Sequence, residues 1–447
     1  MRKAIALIAA ASLLLACGNE SGARSNGTEP EVDITDSEQI PADLDSFRRV
    51  PLKSSVTKVQ PMTGIVLWMD HDEVATDNIQ LEYSYMKYNE VCRKKDVYDW
   101  SALEKKLNAV AARGHQAVVR FYYVYVGQKC TVPDYIKEWP GYEETSGKSE
   151  GRTTYFPDWS CEELQRFHME FYKEFAKRYD SDPRLAFLET GFGLWAEYHI
   201  YDGPYVPGKT FPSKDFQAEF MRGMAEWFKE TTWSISIDAA GHSDDEEPTY
   251  GPFEEQPELL NLRFGNFDDS FMCEDHDGYN YKSWKFFGEE RYKKAPLGGE
   301  FSYYTDSDQK HCLDKKGMHG RVFEDEVAKF HMTFIIGNDQ PEHQSWTRIR
   351  EASLSMGYKF RITDYRIKAD TAAVHIANVG VAPIYRDAWV AVDGVRSDWS
   401  LAGLMPGQER WVSLTVPGLS EKSVPSIECD HLVKGQKIGF EADLVTE

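Results

Sequence analysis

Positive charge is scarce in this chain: 51 Lys and Arg face 73 Asp and Glu, for a formal net charge of -22 over 447 residues. Nucleic acid and anionic membrane surfaces need clustered Lys and Arg, so neither is expected as a partner. Also missing is a run of about 20 apolar residues, the length that a membrane-spanning helix needs. There is no Cys-Xaa-Xaa-Cys, no His-Xaa-His and no His-Glu-Xaa-Xaa-His. These absences argue against a structural zinc site and against metal-dependent hydrolysis, so no metal and no cofactor is expected. The acidic stretches 243–247 and 274–277 read as solvated loops rather than calcium sites. An esterase built on a nucleophile elbow is not expected either.

What is present begins at the N-terminus. Met1-Arg2-Lys3 precedes an apolar run from Ala4 to Ala16, then Cys17, Gly18 and Asn19. The run is too short to span a bilayer and reads as an export signal. Leu14-Leu15-Ala16-Cys17 resembles a lipobox, which implies a lipidated Cys17, and Gly18 after it resembles the outer-membrane form of that signal. A bacterial outer-membrane lipoprotein, on its periplasmic or outer face, is the expectation. Residues 18–45 are rich in Ser, Gly, Asn, Glu, Asp and Pro and cannot bury enough surface to fold, so they read as a flexible linker. The remaining 400 or so residues suffice for one large domain and a small one.

Hydrophobic periodicity gives the large domain eight strands. They are Thr63 to Met69, Gln80 to Lys87, Ala117 to Tyr125, Leu185 to Leu188, Trp233 to Ile237, Leu260 to Phe264, Ala295 to Phe301 and Thr333 to Gly337. Helix-period stretches alternate with them, the clearest carrying Leu103, Leu107 and Val110, or Leu164, Phe167, Phe171 and Phe175. Ser101 to Glu104 and Ser160 to Glu163 have capping-box spacing. The alternation predicts an α/β fold, a (β/α)8 TIM barrel over 46–356. From Gly357 the pattern becomes strand-like with turns, which predicts a small antiparallel β-sandwich over 357–447. Six cysteines remain after Cys17 in an oxidising setting, and disulfides are expected. Cys92 and Cys130 follow the second and third strands and Cys273 and Cys312 the sixth and seventh, so each pair is a candidate bridge between neighbouring loops.

In such a barrel the active site lies at the C-terminal strand ends. Glu197, after the fourth strand in GFGLWAEYH, and Glu300, ending the seventh in PLGGEF, are then two carboxylates facing one mouth. Hydrolysis of a glycosidic bond with retention needs one carboxylic acid and one carboxylate about 5–5.5 Å apart. Glu197 is read as acid/base, its proton affinity raised by Trp195 and Tyr198, and Glu300 as nucleophile, with Gly298 and Gly299 allowing close backbone approach. Glu189, within the fourth strand, is a rival acid. Polar residues at other strand ends are candidate sugar contacts: His71, Arg120, Tyr123, Trp195, His199, Asp238, Asn266 and Asn338. The 12 Trp and 24 Tyr suit a cleft that stacks rings on sugar faces.

Three stretches carry a resemblance. Tyr98-Asp99-Trp100-Ser101 with Leu103, Leu107, Gly114 and Arg120 resembles the passage between the second and third strands of β-galactosidase-like barrels in glycoside hydrolase clan A. Leu194-Trp195-Ala196-Glu197-Tyr198-His199 is similar to a Trp-Gly-Glu-Trp-His motif in a bacterial group of such barrels. Gly357-Tyr358-Lys359-Phe360 and the stretch from Asn378 to Tyr385 resemble that group's C-terminal sandwich. The resemblance implies a retaining glycoside hydrolase acting on a poly- or oligosaccharide in a bacterial polysaccharide-utilisation system. A galactose-containing substrate is expected, and a barrel that binds glycan without cleaving it is the alternative. One departure stands out: Ala196 occupies the place where most of the clan has Asn before the acid glutamate.

Overall fold

The computed structural model describes residues 40–240 and 249–445. Cys17, the signal, most of the expected linker and the acidic stretch 243–247 lie outside the described residues. No helix among them is long and apolar enough to cross a membrane.

Eight parallel strands close into a barrel: β1 Gly64–Trp68, β2 Leu81–Lys87, β3 Gln116–Tyr122, β4 Leu185–Glu189, β5 Thr232–Ser236, β6 Gly265–Phe271, β7 Leu297–Phe301 and β8 Phe334–Ile336. The ring closes where Phe334 to Ile336 of β8 pairs in register with Gly64 to Val66 of β1. Inward-facing Val66, Leu81, Val118, Phe187 and Phe334 fill the lower interior, so the barrel is a packed core rather than a pore. Phe187 and Phe334 stack there at 5.2 Å.

Outside the ring, α1 (Ser101–Ala112) and α2 (Glu162–Tyr179) cover β2 to β4. The 3.6-residue spacing of Leu164, Phe167, Phe171 and Phe175 puts all four on one buried face of α2, with Phe171 packed edge-on to Phe121 at 4.8 Å. Each such side chain contributes about 1.5–3 kcal/mol by leaving water. The helix ends at Tyr179, just before Asp182-Pro183. Neither predicted capping box forms. Asp99 and Asp158 instead accept from the backbone N–H of Ser101 and Ser160.

The sixth strand is not where the apolar run placed it. Pro257–Asn261 is a 3-10 turn and the strand is Gly265–Phe271, displaced by a few residues toward the polar sequence Asn-Phe-Asp-Asp-Ser. Its carboxylates face the barrel mouth, so hydrophobicity was the wrong guide to it.

The C-terminal part forms two sheets. In one, β9 Phe360–Lys368 lies between β10 Thr371–Asn378 and β14 Phe440–Leu444, with β12 Glu409–Thr415 beyond β10; in the other, β11 Ala388–Val392 lies between β13 Pro425–Cys429 and a short strand, Val395–Arg396. Three features depart from the expectation: β13 was not foreseen, β9 and β14 run parallel, and two N-terminal strands, Arg48–Arg49 and Leu52–Ser54, pair with β9 and β14. Residues 48–54 therefore belong to the sandwich sheet rather than to the barrel.

The expected disulfides do not form: Cys92, Cys130, Cys161, Cys273, Cys312 and Cys429 are all free. The first five are buried and serve as small apolar core residues. The thiols of Cys92 and Cys312 donate to the nearby carbonyls of Lys94 and Gln309, and burial pushes the Cys130 thiol up to about 12.

Candidate active site

A cavity of about 820 Å³ opens at the C-terminal end of the barrel. Glu197 and Glu300 both line it, with Trp195, His199, Asp238, Asp268 and Asp269. Aromatic side chains make most of the remaining wall: Trp68, Tyr85, Tyr125, Tyr201, Tyr279, Tyr303 and Tyr304.

Glycines set the position of both glutamates. A Cβ at Gly298 would meet the Phe334 ring at 2.3 Å, and one at Gly299 would meet the Asp268 carbonyl oxygen at 2.0 Å. Only glycine lets β7 lie this close to β6 and the packed interior just before Glu300. After β4 the chain folds back on itself. The backbone N–H groups of Phe192 and Gly193 donate to the Glu197 carbonyl at 3.2 and 2.8 Å, and Leu194 N–H donates to that of His199 at 3.0 Å. A Cβ at Gly193 would lie 1.8 Å from the His199 carbonyl oxygen. The turn of this fold-back is Trp195 and Ala196, both left-handed at φ 58° and 56°. Two consecutive non-glycine residues there cost about 1–2 kcal/mol each, and the fold-back returns Glu197 to the mouth despite the loop.

The Trp195 carbonyl in that turn is held from below. It accepts from Arg120 Nη1 at 3.2 Å and from the Tyr85 hydroxyl at 3.1 Å. Arg120 is fully buried. It also donates to Asp269 Oδ2 at 2.7 Å, reaches Glu189 Oε2 through Nε and Nη2 at 2.8 and 2.5 Å, and lies 4.0 Å over the Phe267 ring. Glu189 is thus sealed under Arg120 and does not line the cavity, whereas Glu197 does.

His199 sits between two carboxylates, Nε2 3.1 Å from Glu197 and Nδ1 3.1 Å from Asp238. Burial disfavours its charge, but Asp238 and Glu197 outweigh this and raise its pKa to about 10. The three residues could each offer one ligand atom to a metal, within 4.8 Å of one another. A histidine ligates through a free lone pair, however, and here each ring nitrogen faces its own carboxylate, the arrangement of an imidazolium.

Burial raises Glu197 to about 7, opposed by His199 and reinforced by Asp269 and Asp238. Glu300 is raised well above the usual carboxylate range, by burial first and then by Asp269, with Glu197 and Glu189 adding to it and Arg120 opposing. Asp268 is pushed to about 6 by burial although Asn280, Ser270 and Trp284 all donate to it. Glu197 therefore has a cation at hydrogen-bond distance, while Glu300 has none among the described residues.

The other sequence candidates lie elsewhere. Tyr123 points out of the barrel, stacked on Tyr88 at 4.0 Å and bonded to His168 Nδ1 at 3.0 Å. Residues adjacent in a strand face opposite sides, and Tyr123 falls on the helix side. Asn266 is fully buried, donating to the Ile235 carbonyl, and Asn338 accepts from Trp68 N–H at 3.0 Å. His71 closes the turn after β1, its Nδ1 accepting from Glu73 N–H. None of these four lines the cavity, and Arg120 lies beneath it. Sequence reading missed Asp269, Trp68 and Tyr85; the Asp268-Asp269 pair is a signal for the first, while nothing in the strand pattern separates a cavity-lining aromatic from a core one. It also passed over Gly147-Lys148-Ser149-Glu150-Gly151, which has the nucleophile-elbow spacing. That segment lies in and beyond a strand of a β-hairpin, Thr145–Ser149 with Arg152–Phe156, not at a strand-to-helix turn, and Ser149 is fully buried.

No protein-family model matches the chain, and no curated protein is similar to it in sequence. Solved structures similar in part include the catalytic domain of a β-amylase from Paenibacillus polymyxa, at 12% identity over 62% of this chain and 91% of that one, with a TM-score of 0.40. A glycoside hydrolase family 30 xylanase from Clostridium acetobutylicum has 11% identity over 81% and 97%, with a TM-score of 0.37. A β-galactosidase from the haloarchaeon Halorubrum lacusprofundi has 10% over 69% and 59%, with a TM-score of 0.41. At this level the likeness says nothing of substrate or residue roles; the barrel rests on the chain's own closed strand register.

Proposed function

We propose that the protein is a retaining glycoside hydrolase whose working pair is Glu197 and Glu300. The observation that carries this is the meeting of two partly buried, proton-retaining glutamates in one aromatic-walled cavity at the C-terminal end of the barrel. Aromatic faces at the mouth, with Tyr201 and Tyr303 each 50% exposed, suit the apolar faces of sugar rings.

In the first step Glu197 gives its proton to the glycosidic oxygen as that C–O bond breaks, and the Glu300 carboxylate forms a bond to the anomeric carbon. In the second, water gives a proton to Glu197 and its oxygen replaces Glu300 on that carbon, restoring both groups. One observation favours the reverse roles. His199 beside Glu197 stabilises the anion there, whereas among the described residues Glu300 has no cation in contact, and it binds its proton more tightly. Once a polysaccharide panel that includes galactans identifies a substrate, Glu197→Gln and Glu300→Gln decide between the assignments. Each is expected to lower kcat by about 10²–10⁴-fold. On an aryl glycoside with a good leaving group and added azide, the variant lacking the acid/base gives a glycosyl azide of retained configuration, and the variant lacking the nucleophile gives the inverted one. Full activity in both variants on a substrate that the parent cleaves would sink the pair. Binding without cleavage by the parent would favour the non-catalytic glycan-binding alternative.

A further inference from the structure

Exposed aromatic side chains gather at the cavity mouth. Among the described residues Trp139, Tyr201, Tyr279, Tyr303 and Tyr304 leave ring area in water, and all four tyrosines line the cavity. Clustered apolar surface of this kind marks a binding site. Each of the four is held by its polar end. The Tyr201 hydroxyl accepts from Trp195 Nε1 at 3.1 Å and donates to Glu150, and that of Tyr279 donates to Asp238 Oδ1 at 3.4 Å. Tyr303 is hydrogen-bonded to Asp339 and Tyr304 to Ser270. Each bond ties a barrel loop to its neighbour, so the rings are fixed while their carbon faces stay in water. A ring already fixed loses little freedom when a sugar stacks on it.

Their places relative to the working pair decide what they hold. Glu197 follows β4 and Glu300 lies on β7; β5 and β6 separate them one way around the ring, and β8, β1, β2 and β3 the other. The two carboxylates flank the scissile bond, so the sugars that it joins extend to either side of the pair. On the β1 to β3 side, Trp68, Tyr85 and Tyr125 make a continuous wall with ring centroids 5.6 and 5.7 Å apart, and Tyr201 carries it outward at 50% exposure. On the β5 to β6 side, Tyr279 and Tyr304 supply ring faces, and Tyr304 reaches solvent at 75% exposure. Aromatic surface therefore leads out of the cavity both ways from the pair. Removal of one terminal sugar uses a single ring-sized place on one side, whereas surface several rings wide on both sides suits consecutive units.

We propose that the cavity holds the interior of a glycan chain, with consecutive sugar units on both sides of the pair, and cuts linkages within the chain rather than removing terminal sugars. The cutting rests on the hydrolase reading; the dependence of binding on chain length does not. Each cut consumes one water through the two steps given above and leaves one new reducing end and one new non-reducing end.

The test uses hexaoses and disaccharides of β-1,4-linked galactose, xylose, mannose and glucose. Their binding to the Glu300→Gln protein, used so that the ligand survives the titration, is followed by tryptophan fluorescence and calorimetry. For at least one sugar the hexaose is expected to bind about tenfold more tightly than the disaccharide. Tyr304→Ala should cut that ratio about threefold or more, and Tyr304→Phe, which keeps the ring, should retain more of it. With the unsubstituted protein, the first products from a hexaose that it cleaves should be di-, tri- and tetrasaccharides. No binding of any hexaose, equal affinity for hexaose and disaccharide, or a ratio untouched by Tyr304→Ala overturns the proposal, as does monosaccharide as the first product. That last result would leave the hydrolase standing; tighter hexaose binding with no cleavage by the unsubstituted protein would sink the hydrolase and keep the chain-binding site.

Discussion

Arg120 illustrates how a residue can be found for the wrong reason. Its place on the third strand marked it as a sugar contact, but its side chain is sealed beneath the cavity, joining Glu189, Asp269 and the Trp195 carbonyl. Removing one partner of a buried charge cluster costs about 3–5 kcal/mol, because the others lose compensation. Arg120→Met is therefore expected to lower unfolding free energy by about 3–5 kcal/mol, measured by denaturant titration. Glu189→Gln in that background should recover part of the loss, since one unpaired carboxylate is then neutral. No recovery would mean that the pair is not the source of the cost. Glu197 and Glu300 were legible because glycine and aromatic residues cluster around them. Asp269 was less so: nothing in the one-dimensional pattern says which of two adjacent aspartates meets Arg120.

At the scale of elements, periodicity located seven of the eight barrel strands and failed where function overrides burial. β6 sets Asp269 against Arg120, brings Asp268 to the cavity and buries the polar Asn266, so its sequence looks like a loop, while the neighbouring run from Leu260 to Phe264 looks like a strand. Helix α2 shows the opposite case, a polar residue placed on an apolar face. His168 is fully buried among Tyr123, Trp159, Phe192 and Phe220, and burial lowers its pKa to about 3. A histidine whose folded pKa lies below its unfolded value of about 6.5 gives stability that is present above 6.5 and lost as pH falls toward 3. At pH ~4.5 the loss from this one group is about 2–3 kcal/mol. His168→Phe should therefore flatten the fall of Tm with pH between about 6.5 and 4, whatever it does to Tm at neutral pH. An unchanged slope in thermal melts would refute the assignment.

Across the whole molecule, the barrel floor and the sandwich form one apolar core. Val66, Val118, Phe187 and Phe334 inside the barrel belong to the same cluster as Tyr358, Phe360, Ile376 and Val390 of the sandwich. Tyr358 donates to the Pro61 carbonyl, and Arg386 donates to Thr231 beside β5. A sequence read in order sees a barrel followed by a sandwich, because strand patterning gives no sign that Arg48–Arg49 and Leu52–Ser54 return to β9 and β14. A shared core of this kind should unfold as a unit, so calorimetry is expected to show one transition with equal calorimetric and van't Hoff enthalpies. Deleting residues 40–55 removes the buried Val50 and Leu52, at about 1.5–3 kcal/mol each, and strips β14 of a partner strand. The truncated chain should then melt at a lower temperature, still in one transition, because the sandwich edge and barrel floor lose support together. Two resolved transitions, or a truncated protein with unchanged Tm, would show that the two parts hold themselves up independently.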